Sequence, residues 1–310
     1  MTSHNRAVVF AYHDVGVRCI ETLLAHNIEI ALIVSHQDNP DENIWFDSVA
    51  ELARRYDIPL ITPDDPNTPE FVEKVKGLNA DWLFSFYYRH MLSTELLNSV
   101  NNGALNMHGS LLPHYRGRVP INWAIIHGEK HTGASLHYMV EQPDAGELIG
   151  QQRVPILPND TAVQVFRKVV VAAECLLDQY LPDLIAGTLV SSKMDLSTGS
   201  YFSGRCAADG QLDIRQSAWT MHNLIRAVAP PYPGAYLDIE GQRFILNSSL
   251  YTGQKAAEQQ ARIYWSDQRC YIDARDGERL EIRELMYNEQ KMTALSFENM
   301  LGAKEYIFKN

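Results

Sequence analysis

NMHGSLLPHYRGR, residues 106–118, closes a short apolar run, GALNMH, that reads as a strand. Asn106 and His108 stand two apart in it, so the pleat turns an amide and an imidazole to the same face. Leu111 and Leu112 follow in a polar loop, where they read as packing residues. Pro113, Arg116, Gly117 and Arg118 come next. The spacing gives Arg116 no role.

Outward from this strand the chain alternates short apolar runs with helical patterns. AVVFAY (7–12), IEIALIVSH (28–36), PLITP, DWLFSFYY (81–88) and GALNMHGS (103–110) read as strands. VRCIETLLAH, SVAELARRYD (48–57) and EFVEKVKGL read as the helices between them. Such alternation predicts an α/β domain with a parallel or mixed Rossmann-like sheet and helices on both faces. ASLHYMV (134–140) and LIGQQRVPI (148–156) add two strands, and residues 161–187 a long helix capped at Asp160–Thr161. Residues 188–205 are rich in Ser, Gly and Thr and read as a break. Beyond it SAWTMHNLIRAV (217–228) reads as a helix. The rest is β-rich, with turn signals at Glu240–Gly241 and Asp276–Gly277. The expected organisation is a Rossmann-like domain over 1–190, a linker over 191–205, and a small β barrel or sheet with one helix over 206–310.

Composition narrows the function. In 310 residues, 45% hydrophobic and 21% charged, there is no apolar run of about 20 residues and no basic-then-apolar leader, so neither a membrane span nor a signal peptide is expected. Cys19, Cys175, Cys206 and Cys270 form no CxxC and read as free thiols of a cytoplasmic protein. The formal net charge of −11 disfavours a nucleic-acid partner. A homo-oligomer is compatible with the sequence but not read from it. The first loop, AYHDVG, lacks GxGxxG, which disfavours a nicotinamide dehydrogenase. Histidines 108, 114, 127, 131 and 137 lack a metal-ligand spacing, so no metal is expected.

Ligands of open α/β sheets bind outside the C-terminal strand ends. Asn106 and His108 lie at one such end. Asp144, in VEQPDAGELIG, follows the strand ASLHYMV and joins them if the two strand ends are adjacent. This trio suits acyl or formyl transfer to an amine. An imidazole takes the amine's proton near neutrality, a carboxylate stabilises the imidazolium, and an amide N–H donates to the tetrahedral oxyanion. The amine is itself the nucleophile.

The pattern NMHGSLLPHYRGRVPINWAIIHGE, then TGASLH, then PDAGELI resembles the signature of formyltransferases that use 10-formyltetrahydrofolate. The resemblance puts the catalytic set on Asn106, His108 and Asp144. It implies folate contacts from His90, Met91, Leu92, Arg118, Val140, Glu141, Gln142, Pro143 and Asp144, and an OB-like second domain. VVFAYHDVG, SHQDNPDENIW, FSFYYRHML and RAVAPPYPGAY further resemble the branch acting on UDP-4-amino-4-deoxy-L-arabinose, which implies a role in lipid A modification and polymyxin resistance.

Other nucleotide-linked amino sugars stay open as acceptors. Methionyl-tRNA is disfavoured, because residues 36–53 carry Asp38, Asp41, Glu42 and Asp47 and no Lys or Arg before Arg54. A formyltetrahydrofolate deformylase is the hydrolytic alternative. Arg205 is expected to meet a substrate diphosphate. Trp45 and Phe46 either stack on a uracil or belong to the core or a lid.

Overall fold

The computed structural model describes residues 5–257 and 259–308. Two compact units divide the chain. One runs to residue 120 and takes in 132–154 and 167–203. The other holds 121–131, 155–166 and the chain from 204 onward.

In the first unit the strands are β1 (Arg6–Ala11), β2 (Glu29–Val34), β3 (Leu60–Ile61), β4 (Trp82–Phe86), β5 (Gly103–His108), β7 (His131–Tyr138) and β8 (Leu148–Pro155). They form one sheet in the order β3-β2-β1-β4-β5-β7-β8. The pairs from β3 to β5 are parallel. Helices α1 (His13–Ala25), α2 (Val49–Arg55), α3 (Pro69–Gly77) and α4 (Thr94–Leu97) connect them. Ala7 to Ala11 of β1 are fully buried, as a central strand covered on both faces requires. Thr68 and Pro69 start α3: the Thr68 hydroxyl accepts from Phe71 N, and proline at the first helical position lacks the N–H that would go unpaired. The helix then turns Phe71, Val72 and Val75 into a core with Phe10, Val34 and Leu83.

The sheet is mixed, because β7 runs antiparallel to β5. This changes how Asp144 reaches the site. The chain leaves β7 opposite Leu105, not at the C-terminal end of β5. It then folds back through Asp144, whose φ is +50°, and Gly146. A Cβ on Gly146 would run into the Tyr138 carbonyl, so only glycine permits this reversal. The strand ends are therefore not adjacent; the returning loop brings Asp144 to β5.

Residues 191–205, read as a linker, hold a 3-10 turn (Leu196–Thr198) and a two-residue strand β9 (Tyr201–Phe202). This strand pairs in parallel with β6 (Arg116–Gly117) in the loop after β5. Of the remaining helices, α5 (Pro120–Ile126) falls almost wholly in the second unit, and α6 (Ala162–Ala186) has its first residues there and the rest in the first.

The second unit carries α7 (Ala218–Ala227) and an antiparallel sheet. Its strands are β10 (Ala235–Ile239), β11 (Gln242–Lys255), β12 (Arg262–Ser266), β13 (Arg269–Asp273), β14 (Glu278–Tyr287), β15 (Gln290–Lys291) and β16 (Glu305–Ile307), in the order β10-β11-β14-β13-β12-β16 with β15 on β14. The expected β domain is this sheet. Glu240 and Gly241 both have positive φ, as a two-residue hairpin turn needs. A second helix, α8 (Ala294–Leu301), stands where only strand was expected. The Thr293 hydroxyl accepts from Ser296 N at its start, and Gly302 closes it in the left-handed region. Phe297 on α8 is fully buried and packs near Phe244. Asp273 is also fully buried, bonded to Arg262 at 2.9 Å and Arg279 at 2.8 Å.

Candidate active site

Alternation along β5 places Asn106 and His108 on one face, and the antiparallel register sets His137 of β7 opposite Asn106. Asp144 meets all three. Its Oδ1 lies 3.5 Å from His108 Nδ1, 3.6 Å from His137 Nε2 and 3.4 Å from Asn106 Nδ2. Its Oδ2 accepts from Gly117 N at 2.8 Å. The structure thus brings together the expected trio and adds His137, which sequence reasoning considered only as a metal ligand. The signal for His137 was cross-strand register, which needs the direction of β7.

The hydrogen bonds assign the protons. His108 Nε2 is 2.8 Å from the Tyr115 carbonyl, which can only accept, so Nε2 carries hydrogen and Nδ1 faces Asp144. His137 Nδ1 is 2.8 Å from the Tyr138 carbonyl and is likewise the donor. Its Nε2 then accepts from Asn106 Nδ2 at 3.1 Å. One Asn106 N–H is held by His137; the other makes only the long approach to Asp144.

Burial by itself would push the Asp144 carboxyl up. The facing His108 and His137 rings and the Gly117 N–H outweigh that and hold it well below the usual carboxylate range. The carboxylate is therefore ionised at neutral pH, and it faces the nitrogen of His108 that would gain a proton.

The loop after β5 supports this set from outside. Tyr115, at φ +58°, turns its carbonyl onto His108, while its N–H donates to Ser200 Oγ at 2.8 Å. The Tyr115 ring stacks on Phe202. Arg116 N donates to Ser200 O and Arg118 N to Phe202 O. Gly117, at φ +93°, sits so close to the Phe202 carbonyl that no Cβ fits. Residues 200–202 are thus a brace for the loop whose backbone holds both His108 and Asp144.

The remaining expected residues fall differently. Met91 and Val140 are exposed, and His90 meets His36 edge-on. Glu141 and Gln142 are exposed and Pro143 half-buried on the loop that returns to Asp144. Leu92 lies in the core with Phe71 and Leu96, so its side chain is committed to packing and only its backbone remains for a ligand. The Arg118 side chain is exposed and has no ion-pair partner among the described residues. Arg116 is half-buried, and its Nε lacks a hydrogen-bond partner. Arg205 belongs to the second unit, where its guanidinium lies 5.0 Å from the Trp123 ring and donates to the Asp209 carbonyl. Trp45 and Phe46 both pack on His13. No helix among the described residues is long and apolar enough to cross a membrane.

Comparison with known proteins bears on this geometry. A family model described as formyl transferase matches residues 6–180, and one described as formyl transferase, C-terminal domain, matches residues 206–301. Solved structures share the fold at low identity. One is the N-formyltransferase from Helicobacter canadensis in complex with folinic acid and dTDP-3-aminofucose, at 20% identity, covering 93% of this chain and 99% of that one, with a TM-score of 0.73. Another is WlaRD, a sugar 3N-formyl transferase with dTDP and 5-N-formyl-THF, at 17% identity, 93% and 99% coverage and a TM-score of 0.71. A third is a sugar N-formyltransferase from Shewanella sp FDAARGOS_354, at 21% identity, 80% and 99% coverage and a TM-score of 0.63.

Proposed function

The chain belongs to the formyl transferase family, and on that premise we propose that it moves the formyl group of 10-formyltetrahydrofolate to the 4-amine of UDP-4-amino-4-deoxy-L-arabinose. The observation that carries the transfer chemistry is the convergence of Asn106, His108 and Asp144, with Gly117 N–H on the carboxylate. The neutral amine attacks the formyl carbon. His108 Nδ1 takes its proton, and the resulting imidazolium donates to Asp144 on one side and to the Tyr115 carbonyl on the other. The Asn106 N–H that now makes only a 3.4 Å approach to Asp144 turns to the oxyanion. The tetrahedral intermediate then collapses: the bond from the formyl carbon to N10 breaks, His108 returns its proton to N10, and the folate leaves as tetrahydrofolate.

Folate contacts come from His90, Met91, the Leu92 backbone, Arg118 and residues 140–144. Two solved relatives were crystallised with formylated folates, which supports the donor. The acceptor rests on the sugar-modifying relatives and on the acidic stretch 36–47, which repels a tRNA phosphate backbone. The role that follows is in the cytoplasm, in lipid A modification and resistance to cationic peptides. A second reading, a dTDP-linked amino sugar, is favoured by the dTDP compounds in two of the relatives.

Tetrahydrofolate release from 10-formyltetrahydrofolate, measured with UDP-4-amino-4-deoxy-L-arabinose, a dTDP-amino sugar, methionyl-tRNA and no acceptor, tests this. Fast turnover with the UDP sugar alone is expected. Turnover with the dTDP sugar or the tRNA instead overturns the acceptor but keeps the chemistry, and turnover without acceptor makes the enzyme a hydrolase.

A further inference from the structure

The formyl-transfer chemistry above leaves one part of the same sheet edge unused. Past the C-terminal ends of β1, β2 and β3 lies a cavity of about 300 Å³, lined by Tyr12, His36, Gln37, Asp38, Phe46 and Thr62 among others. The strands from β3 to β5 are parallel, so this cavity opens on the edge of the sheet at which β5 ends in His108. That edge is where doubly wound sheets bind ligands. The volume is at the small end of ligand pockets and suits one nucleoside, not a whole nucleotide sugar.

The walls are flat and fixed. Phe46 stacks on His13 with ring centroids 3.8 Å apart and meets Tyr12 edge-on at 5.1 Å. His36 stacks on Tyr88 at 4.2 Å. Burial pulls His36 down to about 4 and His13 to about 3, so both rings are neutral and do not repel a base.

The polar groups divide into spent and open. Ser35 Oγ donates to the Ala11 carbonyl, and Tyr12 OH donates to Asp38 Oδ1 at 2.7 Å. Asp38 Oδ2, the Gln37 amide and the Thr62 hydroxyl have no partner among the described residues. Gln37 offers both a donor and an acceptor, the pattern that matches a nucleobase edge. Asp38 stands just past the end of β2, where an acidic residue of a doubly wound fold meets a ribose hydroxyl.

Charge says which end of a ligand enters. The residues lining the cavity include no Lys or Arg. Asp14 occupies the first turn of α1, and its carboxylate accepts from Asp47 N, so the helix start disfavours phosphate. Arg89, on the loop after β4, lies 4.8 Å from the Tyr12 ring and pairs with Glu42. In the sheet β4 stands between β1 and β5, so this cation is on the path from the cavity to the trio. β2 and β5 are three strand intervals apart, about 14 Å, the reach of an extended nucleoside diphosphate sugar.

We propose that this cavity seats the nucleoside end of the acceptor. Its base lies against Phe46 and Tyr12 and is read at its edge by Gln37, and Asp38 Oδ2 accepts from the ribose 2′-hydroxyl. Asp38 then selects a ribonucleotide over a deoxyribonucleotide carrier. This rests on the reading of the acceptor as a nucleotide-linked amino sugar.

Calorimetric titration of UDP, 2′-deoxy-UDP and folinic acid into the wild type, Asp38→Ala and Gln37→Ala tests it. Both substituted residues are exposed, and unchanged folinic acid affinity certifies the fold of each variant. The wild type is expected to favour UDP over 2′-deoxy-UDP by about tenfold or more, as for a lost hydrogen bond to a charged group. Asp38→Ala should erase that preference, and Gln37→Ala should weaken both nucleotides alike. Wild-type nucleotide binding that neither variant alters overturns the cavity assignment and leaves the acceptor class standing. No binding of either nucleotide, with folinic acid still bound, overturns both.

Discussion

Replacing Gly117 with alanine tests whether backbone geometry outside the trio sets its rate. Gly117 is at φ +93°, where an L-residue costs about 1–3 kcal/mol. The new Cβ would also collide with the Phe202 carbonyl, which is backbone and cannot swing aside. Either β9 or the loop after β5 must shift, and the Gly117 N–H that holds Asp144 Oδ2 at 2.8 Å moves with it. A hydrogen bond to a carboxylate is worth about 1.5–3 kcal/mol, and misplacing a catalytic group by about 1 Å costs about 10²-fold in rate. The expected result is a fall of about 10²-fold in kcat, read as tetrahydrofolate release at saturating substrates, with a stability loss of about 1–3 kcal/mol. The His108 and His137 rings still hold the Asp144 carboxyl low, so Asp144 stays ionised in the variant and the deficit should not depend on pH near neutrality. Turnover within twofold of wild type would refute the reasoning. So would a loss fully restored by raising the pH, since the defect would then be protonation and not placement.

His108→Ala and Asp144→Ala should each lower turnover by about 10²–10⁴-fold with folinic acid affinity retained, and a variant keeping most of its activity removes that residue from the chemistry. His137→Ala should lower kcat more than it raises KM, because it frees the Asn106 amide; equal effects on both would mean it only shapes binding. Asp273→Ala should destabilise the second unit by about 3–5 kcal/mol in denaturant titration, since it leaves Arg262 and Arg279 facing each other without their shared anion. His222 is fully buried, and burial pulls it down to about 4. The unfolded ring protonates near 6.5, so its contribution is whole above that pH and is lost as pH falls toward 4, by about 2 kcal/mol at pH 5. His222→Gln should flatten that part of the stability–pH curve; an unchanged slope assigns the acid sensitivity elsewhere.

Much of the first unit was legible because its strands are buried on both faces and read as plain apolar runs. Asn106 and His108 were legible because alternation fixes a shared face. Strand direction was not. ASLHYMV looks the same whether it runs parallel or antiparallel to β5, and only pairing shows that His137 lies beside Asn106. The brace at 200–202 was hidden because its Ser- and Gly-rich neighbours lack periodicity, and its bonds are made by backbone that composition does not reveal. Helix α8 had a readable start at Thr293 and stop at Gly302, but its eight residues sit among strands and were absorbed into them. The hairpins at Asp267–Gln268 and Asn288–Glu289 put non-glycine residues at positive φ, where the usual Asn-Gly or Asp-Gly signal is missing. That the Leu92 side chain packs in the core, leaving only its backbone for a ligand, is a distinction that a loop sequence does not carry.

The brace also sets a clock. Ser200 follows Tyr115 by 85 residues. At about 5–20 residues per second, a ribosome that has just made the carbonyl gripping His108 needs roughly 4 to 17 seconds more before the residue that steadies that carbonyl exists. Once Asp144 is made, and until Ser200 follows, the nascent chain holds every side chain of the trio and lacks the residues that brace the loop around them. The contacts that steady the His108 carbonyl partner therefore form only after the trio's own residues have been made.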